Sequence, residues 1–517
     1  MIPKRWFRVL FRLHLILVCA TVVGRAEVRL PAVFSDNLVL QLGMRTPIWG
    51  WADEGEKVTV TFRGKKVSAT ARNGKWLVKL PSAKAGGPDT LLVEGKNRVE
   101  LKNVLVGEVW ICSGQSNMEF PLDRSFESEK DIANSANPNL HLFTVTKSKA
   151  NESMDDVKAS PNIGWVECNP DSAQKFSAVA YYFGRALQKA RGVPVGLIHT
   201  SWGGSPAEVW VREAVLAADP EYKRDILDTY PAKLERHQAD LAKWEKEAGD
   251  LKKEGKEPAG VRPRPPWKPA ELYNGMIAPL IPYAIKGAIW YQGESNADRA
   301  WQYRRLFADM IRNWRRDWGQ GDFAFLAVQL APWDRNKKRS LQEITAAPGE
   351  SDWAELREAQ LLATKALPRV GMAVITDVGD KDDIHPTKKE PVGGRLALVA
   401  RRLVYGEPIE DSGPSYRSSQ LKGNKMILTF DHVAGGLEAR GGRLRGFAIC
   451  GTDRKFVWAS AEIDDGKVVV SSPQVEKPVA VRYGWADYPV VNLFNREGLP
   501  ASPFRTDDFP MITAPKK

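Results

Sequence analysis

Apolar and polar positions along this chain fall into three regimes. From residue 27 to about 105, short β-rich pieces alternate with turn signals: Thr46-Pro47-Ile48-Trp49-Gly50-Trp51, Val58-Thr59-Val60-Thr61-Phe62 and Trp76-Leu77-Val78-Lys79-Leu80 are separated by Arg63-Gly64 and Asn73-Gly74. Strands at this spacing predict a small β-sandwich-like domain. From about 106 to 406, compact apolar runs at 109–112, 195–198, 288–291, 323–330 and 372–376 alternate with helical spacing over 176–190, 298–318, 353–367 and 388–404. Tyr303, Phe307, Met310 and Trp314, for example, share one helical face. Strand–helix–strand repetition predicts an α/β domain whose mostly parallel sheet is covered on both sides. Within it, about 212–270 is a polar excursion: a solvated helix over 232–254, then a stiff Pro-rich arm over 261–269. β-signals return from about 411 to the end, as in Lys425-Met426-Ile427-Leu428-Thr429-Phe430 and Lys467-Val468-Val469-Val470.

The first residues break this pattern. Lys4, Arg5, Arg8 and Arg12 precede an almost wholly apolar run, 13–23, and Gly24-Arg25-Ala26 places small residues at −3 and −1 of a cleavage site. The run is too short for a comfortable span, so it reads as a cleaved export signal rather than an anchor. The expectation is a soluble, exported protein of a periplasm, the medium or a lysosome-like compartment, without stable membrane insertion. Residues 1–26 hold one Lys, four Arg and no acid, so their removal lowers the net charge from +12 to +7. That charge is modest and dispersed; even Arg312-Asn313-Trp314-Arg315-Arg316 reads as an exposed helix face and not as a nucleic-acid footprint. Cys112, Cys168 and Cys450 remain after processing, too few for a disulfide framework. With no C-x-x-C, no H-E-x-x-H and five histidines left, a metal site is not expected.

Four strand ends in the α/β region carry chemistry. Gly114-Gln115-Ser116-Asn117-Met118 follows the first apolar run, which puts the Ser116 hydroxyl at the carboxyl edge of the sheet as a candidate nucleophile. The stretch lacks the second glycine of G-x-S-x-G, so it is not the elbow of an α/β-hydrolase. His199-Thr200-Ser201-Trp202-Gly203-Gly204-Ser205 follows the second run, and the paired glycines Gly203 and Gly204 let backbone amides approach a ligand as an oxyanion hole requires. Trp290-Tyr291-Gln292-Gly293-Glu294-Ser295-Asn296 ends the third, where the Gln292 amide can donate to an oxyanion and Glu294 either supports the site from behind or caps the following helix. Asp380-Lys381-Asp382-Asp383-Ile384-His385-Pro386 supplies His385 as a base of suitable pKa, with Asp382 and Asp383 both in reach to orient it. Each block alone also has a plain reading as a turn or an acidic loop; their order, Ser…Asp…His, carries more weight than any one of them.

Gly-Gln-Ser, Gly-Gly, Gln-Gly-Glu and Asp-x-x-His resemble the successive blocks of the SGNH-hydrolase superfamily. More narrowly, the chain resembles the sialate O-acetylesterase family over nearly all its mature length. The stretches Leu30-Pro31-Ala32-Val33-Phe34-Ser35-Asp36-Asn37, Leu272-Tyr273-Asn274-Gly275-Met276, Asp383-Ile384-His385-Pro386 and Gly498-Leu499-Pro500-Ala501-Ser502-Pro503-Phe504-Arg505 carry much of that likeness. The resemblance implies an SGNH/flavodoxin-like three-layer domain between β-rich N- and C-terminal domains. It implies Ser116 as nucleophile, His385 as base, and oxyanion donors at the Ser116 amide, at Gly203 or Gly204, and at the Gln292 side chain. The broader Asp-x-x-His pattern selects Asp382 and the narrower Asp-Ile-His-Pro keeps Asp383; Asp382 is preferred here on the broader pattern. The expected activity is hydrolysis of O-acetyl esters on a sugar or glycan, with no cofactor. An acetylated plant polysaccharide such as xylan is the alternative substrate. A carbohydrate-binding protein with a decayed centre and a metal-dependent deacetylase are less favoured, the first by the presence of Ser116, Gln292 and His385, the second by the paucity of histidine.

Overall fold

A computed structural model describes residues 27–257, 260–336 and 338–515; the export signal expected over 1–26 lies outside them. The central sheet is built from β1 (Arg98–Gly114), β2 (Asn137–Thr144), β3 (Trp165–Cys168), β4 (Val195–Ser201), β5 (Gly287–Tyr291), β6 (Ala324–Val328) and β7 (Val370–Ala373). Their order across the sheet is β7-β6-β5-β1-β4-β2-β3. Every pairing is parallel except that of β3, which runs antiparallel to β2 at the edge. With the β2–β3 extension set aside, β4-β1-β5-β6-β7 is the doubly wound order 2-1-3-4-5. Its direction reverses around β1, and such a switch opens a crevice at the carboxyl ends of the strands.

Both faces of these strands are buried, and successive residues feed different cores. Val109 and Ile111 of β1, Ala288 and Trp290 of β5, and Phe325 and Ala327 of β6 enter one core. Trp110 and Cys112, Ile289 and Tyr291, and Leu326 and Val328 enter the other. On the second face lie α1 (Ala178–Arg191) and the helix following the last strand, Glu390–Leu403, packed against each other. Gly393 makes that approach close: a Cβ there would fall 2.6 Å from Tyr182 Cβ and 2.7 Å from the Val179 carbonyl. Between them in the chain come α2 (Tyr230–Lys253), α3 (Ala300–Trp318) and α4 (Asp352–Ala366), and Glu390–Leu403 is α5. Helices α3 and α4 cover the first face. Helix α2 is the polar excursion; none of its 24 residues is buried.

The N-terminal region contributes antiparallel strands at Thr46–Trp51 paired with Lys75–Leu80, and at Lys57–Phe62 paired with Lys65–Thr70 and Gly86–Glu94. Burial alternates along Lys75–Leu80 with the strand period of two. Arg63-Gly64 and Asn73-Gly74 both take positive φ at two successive residues, as two-residue hairpin turns require. Strand β1 is 17 residues long because it serves two sheets. Its first half pairs with Gly86–Glu94 and Val39–Gln41, and its second half with β4 and β5. It therefore runs straight through the domain boundary read near residue 105.

The C-terminal region holds two four-stranded antiparallel groups around Leu428, Phe430, Phe447, Ile449, Val468, Val481 and Tyr483. Arg357 of α4 ties it to the central domain. Fully buried, its guanidinium donates to the carbonyls of Leu330 and Ala331 on one side and of Ala486 and Asp487 on the other.

Candidate active site

Ser116 sits one turn beyond the end of β1, at the switch in strand order. The turn needs glycine at position 114: its φ is +142° and a Cβ would lie 2.1 Å from the Tyr291 carbonyl. The Gln115 N–H donates to that same carbonyl at 2.9 Å, and its Oε1 accepts from the backbone of Gly293 and Ser295. The serine turn is thus docked on the loop after β5.

His385 comes from the loop between β7 and α5. Its Nε2 lies 2.8 Å from Ser116 Oγ. Asp383 Oδ1 stands 3.5 Å from the opposite ring nitrogen, Nδ1, and accepts the His385 backbone N–H at 2.8 Å. Of the two acids offered by the sequence, Asp383 is thus the one set against the imidazole. The Asp382 carboxylate accepts from the Lys338 N–H at 3.2 Å and pairs with Lys381 at 2.5 Å. Burial lowers the imidazole pKa, and the Asp383 charge opposes that effect. A hydroxyl, a neutral imidazole and an orienting carboxylate in this sequence can carry out nucleophilic acyl transfer.

Of the expected oxyanion donors, the structure brings Gly203 of the glycine pair to Ser116. A Cβ on Gly203 would lie 3.2 Å from Ser116 Cβ. The Gly203 N–H donates at 2.7 Å to Glu119 Oε2, whose other oxygen meets Lys147 at 2.5 Å. Gly204 follows with φ of +76°. The Gln292 side chain is committed elsewhere. Its Nε2 donates to Asn296 Oδ1 at 2.7 Å and to the Ser205 carbonyl at 3.3 Å, while its Oε1 accepts from Tyr303 at 3.0 Å. That fully buried amide links the loops after β4 and β5, and its Nε2 already has two acceptors. Glu294 lies behind the serine: its Oε1 accepts from Asn117 Nδ2 at 2.7 Å, its Oε2 is buried without a side-chain hydrogen-bond partner among the described residues, and burial raises its pKa.

Ser116 and His385 open onto a cleft of about 930 Å³ that is also lined by Glu119, His199 and Ser201. Its walls carry Arg124, Lys147 and Lys175. Lys175 is paired with Asp123, whereas Arg124 is exposed over the Phe120 ring, 5.3 Å from its centroid, and has no carboxylate partner among the described residues. His199 Nε2 lies 2.6 Å from Ser201 Oγ, and burial holds its pKa down at about 4, so that imidazole is neutral at ordinary pH. Two residues went unassigned in the sequence reading: Asn117, fully buried next to Ser116, and Lys389, 1% exposed, whose Nζ donates to Asn117 Oδ1 at 2.6 Å. Elsewhere, Glu410, Asp411 and His432 of the C-terminal region bring ligand atoms within 4.8 Å of one another; they are the one such group among the described residues. No helix among those residues is long and apolar enough to cross a membrane.

Residues 260–399, which include β5 to β7 and His385, match the family model of carbohydrate esterases described as sialic acid-specific acetylesterase. A crystal structure of a carbohydrate acetylesterase from Xanthomonas citri is 37% identical and superposes with a TM-score of 0.79, over 93% of this chain and all of that one. Human sialate O-acetylesterase is 28% identical over 92% of each chain, and the mouse protein 29% identical over 86% of each. With the doubly wound sheet and its β-rich flanks in place, the chain belongs to the sialate O-acetylesterase family and is a carbohydrate esterase.

Proposed function

We propose that the protein removes O-acetyl groups from sialic acid by a serine acyl-enzyme mechanism. The observation that carries this reading is the 2.8 Å contact of Ser116 Oγ with His385 Nε2 at the floor of the cleft, with Asp383 on the far side of the ring. His385 takes the Ser116 proton as the oxygen attacks the acetyl carbonyl. Asp383 keeps the remaining ring proton on Nδ1 and steadies the imidazolium. The tetrahedral oxyanion falls to the backbone amides of Ser116 and of the glycine pair, each such donor contributing about 3 kcal/mol. For Gly203 to serve, the Glu119 carboxylate must leave its N–H, and Lys147 at its other oxygen gives it a partner to follow. His385 then protonates the departing sugar oxygen, and water activated by the same base releases acetate from Ser116.

The walls of the cleft favour an acidic sugar over neutral xylan. Arg124, free of any acidic partner among the described residues, faces an entering substrate alongside Lys147 and Lys175. The names of the human and mouse relatives agree with a sialate substrate. Export through the basic and apolar segment 1–26 belongs to the same reading, since it would bring the enzyme to glycans outside the cytoplasm. The test is acetate release from O-acetylated sialic acid and from acetylated xylan, side by side, by the mature protein and by Ser116→Ala. Release from sialic acid that vanishes in the variant is expected. Release from xylan alone would reassign the substrate, and a fully active variant would sink the serine mechanism.

A further inference from the structure

The buried lysine under the active site is out of place by ordinary physical chemistry. Lys389 immediately precedes α5 as its N-cap and is sealed from solvent between the rings of Phe120, 4.7 Å from its Nζ, and Tyr291, at 5.5 Å. Burial pulls its pKa down to about 7. Such a site would be filled at lower cost by a methionine or leucine, so the ammonium is expected to have a task. Its one side-chain hydrogen-bond partner among the described residues is Asn117 Oδ1.

That contact fixes a direction. An ammonium only donates, so the Asn117 amide must turn its oxygen towards Lys389 and its nitrogen away. The nitrogen then meets two acceptors, the Ile384 carbonyl at 2.9 Å and Glu294 Oε1 at 2.7 Å. Ile384 immediately precedes His385, and Asn117 immediately follows Ser116. Nucleophile and base are thus joined through one side chain, covalently on the Ser116 side and by a hydrogen bond on the His385 side. We propose that Asn117 and Lys389 are positioning residues of the reaction: the buried ammonium orients the Asn117 amide, and that amide holds the His385 loop at bonding distance from Ser116. The same loop is also held by the Phe126 N–H on the Thr387 carbonyl, by the Asp334 N–H on the Lys381 carbonyl and by the Lys338 N–H on Asp382, but those contacts flank the histidine and do not reach the serine.

Lys389 has a second effect that a merely space-filling residue lacks. Its charge disfavours the imidazolium of His385, opposing Asp383, and Arg124 acts in the same sense. The ionisable groups facing the ammonium are Glu294 from the loop after β5 and Asp383 from the histidine loop, and both favour its charged form. In the acid range where His385 titrates, Lys389 is protonated.

This inference rests on Ser116 and His385 acting as nucleophile and base. Its test uses the mature protein with O-acetylated sialic acid and two variants. Asn117→Asp keeps the shape and removes the donor to Ile384; a fall in kcat of about 10- to 100-fold with KM nearly unchanged is expected, the scale on which a small misplacement of reacting groups acts. Lys389→Met keeps length and apolar fit beside the two rings. It is expected to lower kcat and to move the acid limb of kcat/KM to higher pH, because the charge that opposes the imidazolium is gone. Should Asn117→Asp not fold, Lys389→Met carries the test alone. Folded variants with wild-type kcat and an unmoved limb, or a change confined to melting temperature, would overturn the proposal. If Ser116→Ala is inactive while both variants behave as wild type, only this inference falls; if Ser116→Ala is active, the serine mechanism falls with it.

Discussion

His385 is half-buried and meets its acid loosely, and both facts have kinetic consequences. Burial, Lys389 and Arg124 hold the imidazole below its ordinary value of 6.5, while Asp383 pulls it up. The base works when neutral, so the acid limb of kcat/KM is expected below pH 6.5. Asp383→Asn removes the upward pull; the limb then moves to lower pH while kcat falls. Because Asp383 is 62% exposed and 3.5 Å from Nδ1, the fall is expected at about 10- to 100-fold, well short of the ~10⁴-fold typical of a buried orienting aspartate. Asp382→Asn, measured in the same pH–rate series, should leave limb and kcat near wild type. At this scale the approach of Ser116, His385 and Gly203 to one another was legible, because turn chemistry and residue type together mark those positions. The sequence left Asp382 and Asp383 close rivals, since adjacent carboxylates differ only in where the loop aims them. The Gln292 amide, read as a donor to the oxyanion, is hydrogen-bonded to Asn296 and the Ser205 carbonyl, partners that an amide at a strand end does not announce. Lys389, inside Lys388-Lys389-Glu390, looked like any solvated helix start.

Among the elements, the apolar runs that announced the central strands are the ones buried on both faces. Period alone located them: 195–198 lies inside β4, 288–291 inside β5, and the helical spacing over 298–318 became α3. The length of β1 was not legible, because its first half is largely exposed and polar while its second half is buried throughout and holds the apolar run 109–112; the change of environment reads as a change of element. Glycine spacing also hid a packing role. Gly393 reads as an indifferent residue in a helical stretch, yet α1 and α5 meet there. Gly393→Ala would set a methyl group 2.6 Å from Tyr182 Cβ and 2.7 Å from the Phe183 N and the Val179 carbonyl. The expected cost is about 1–3 kcal/mol, read as a lower midpoint in thermal or urea unfolding.

Across the whole molecule, cohesion depends on a few buried polar ties as well as on the cores. Arg357 satisfies four carbonyls drawn from both sides of the junction between the central and C-terminal regions, and burial holds its pKa down at about 9. Arg357→Met would strand those acceptors and is expected to cost about 3 kcal/mol or more. A single melting transition should then split or broaden, with protease cutting first between the two regions. The N-terminal region is bound more intimately still, through β1. The strand that delivers Ser116 begins eighteen residues earlier, at Arg98, as a member of the other sheet, paired with Gly86–Glu94 and Val39–Gln41. The small domain is therefore no interchangeable module: a recombination that exchanged it for another would have to cut and rejoin the very ladder on which the nucleophile rides, so lineage and catalysis are inherited here as one piece.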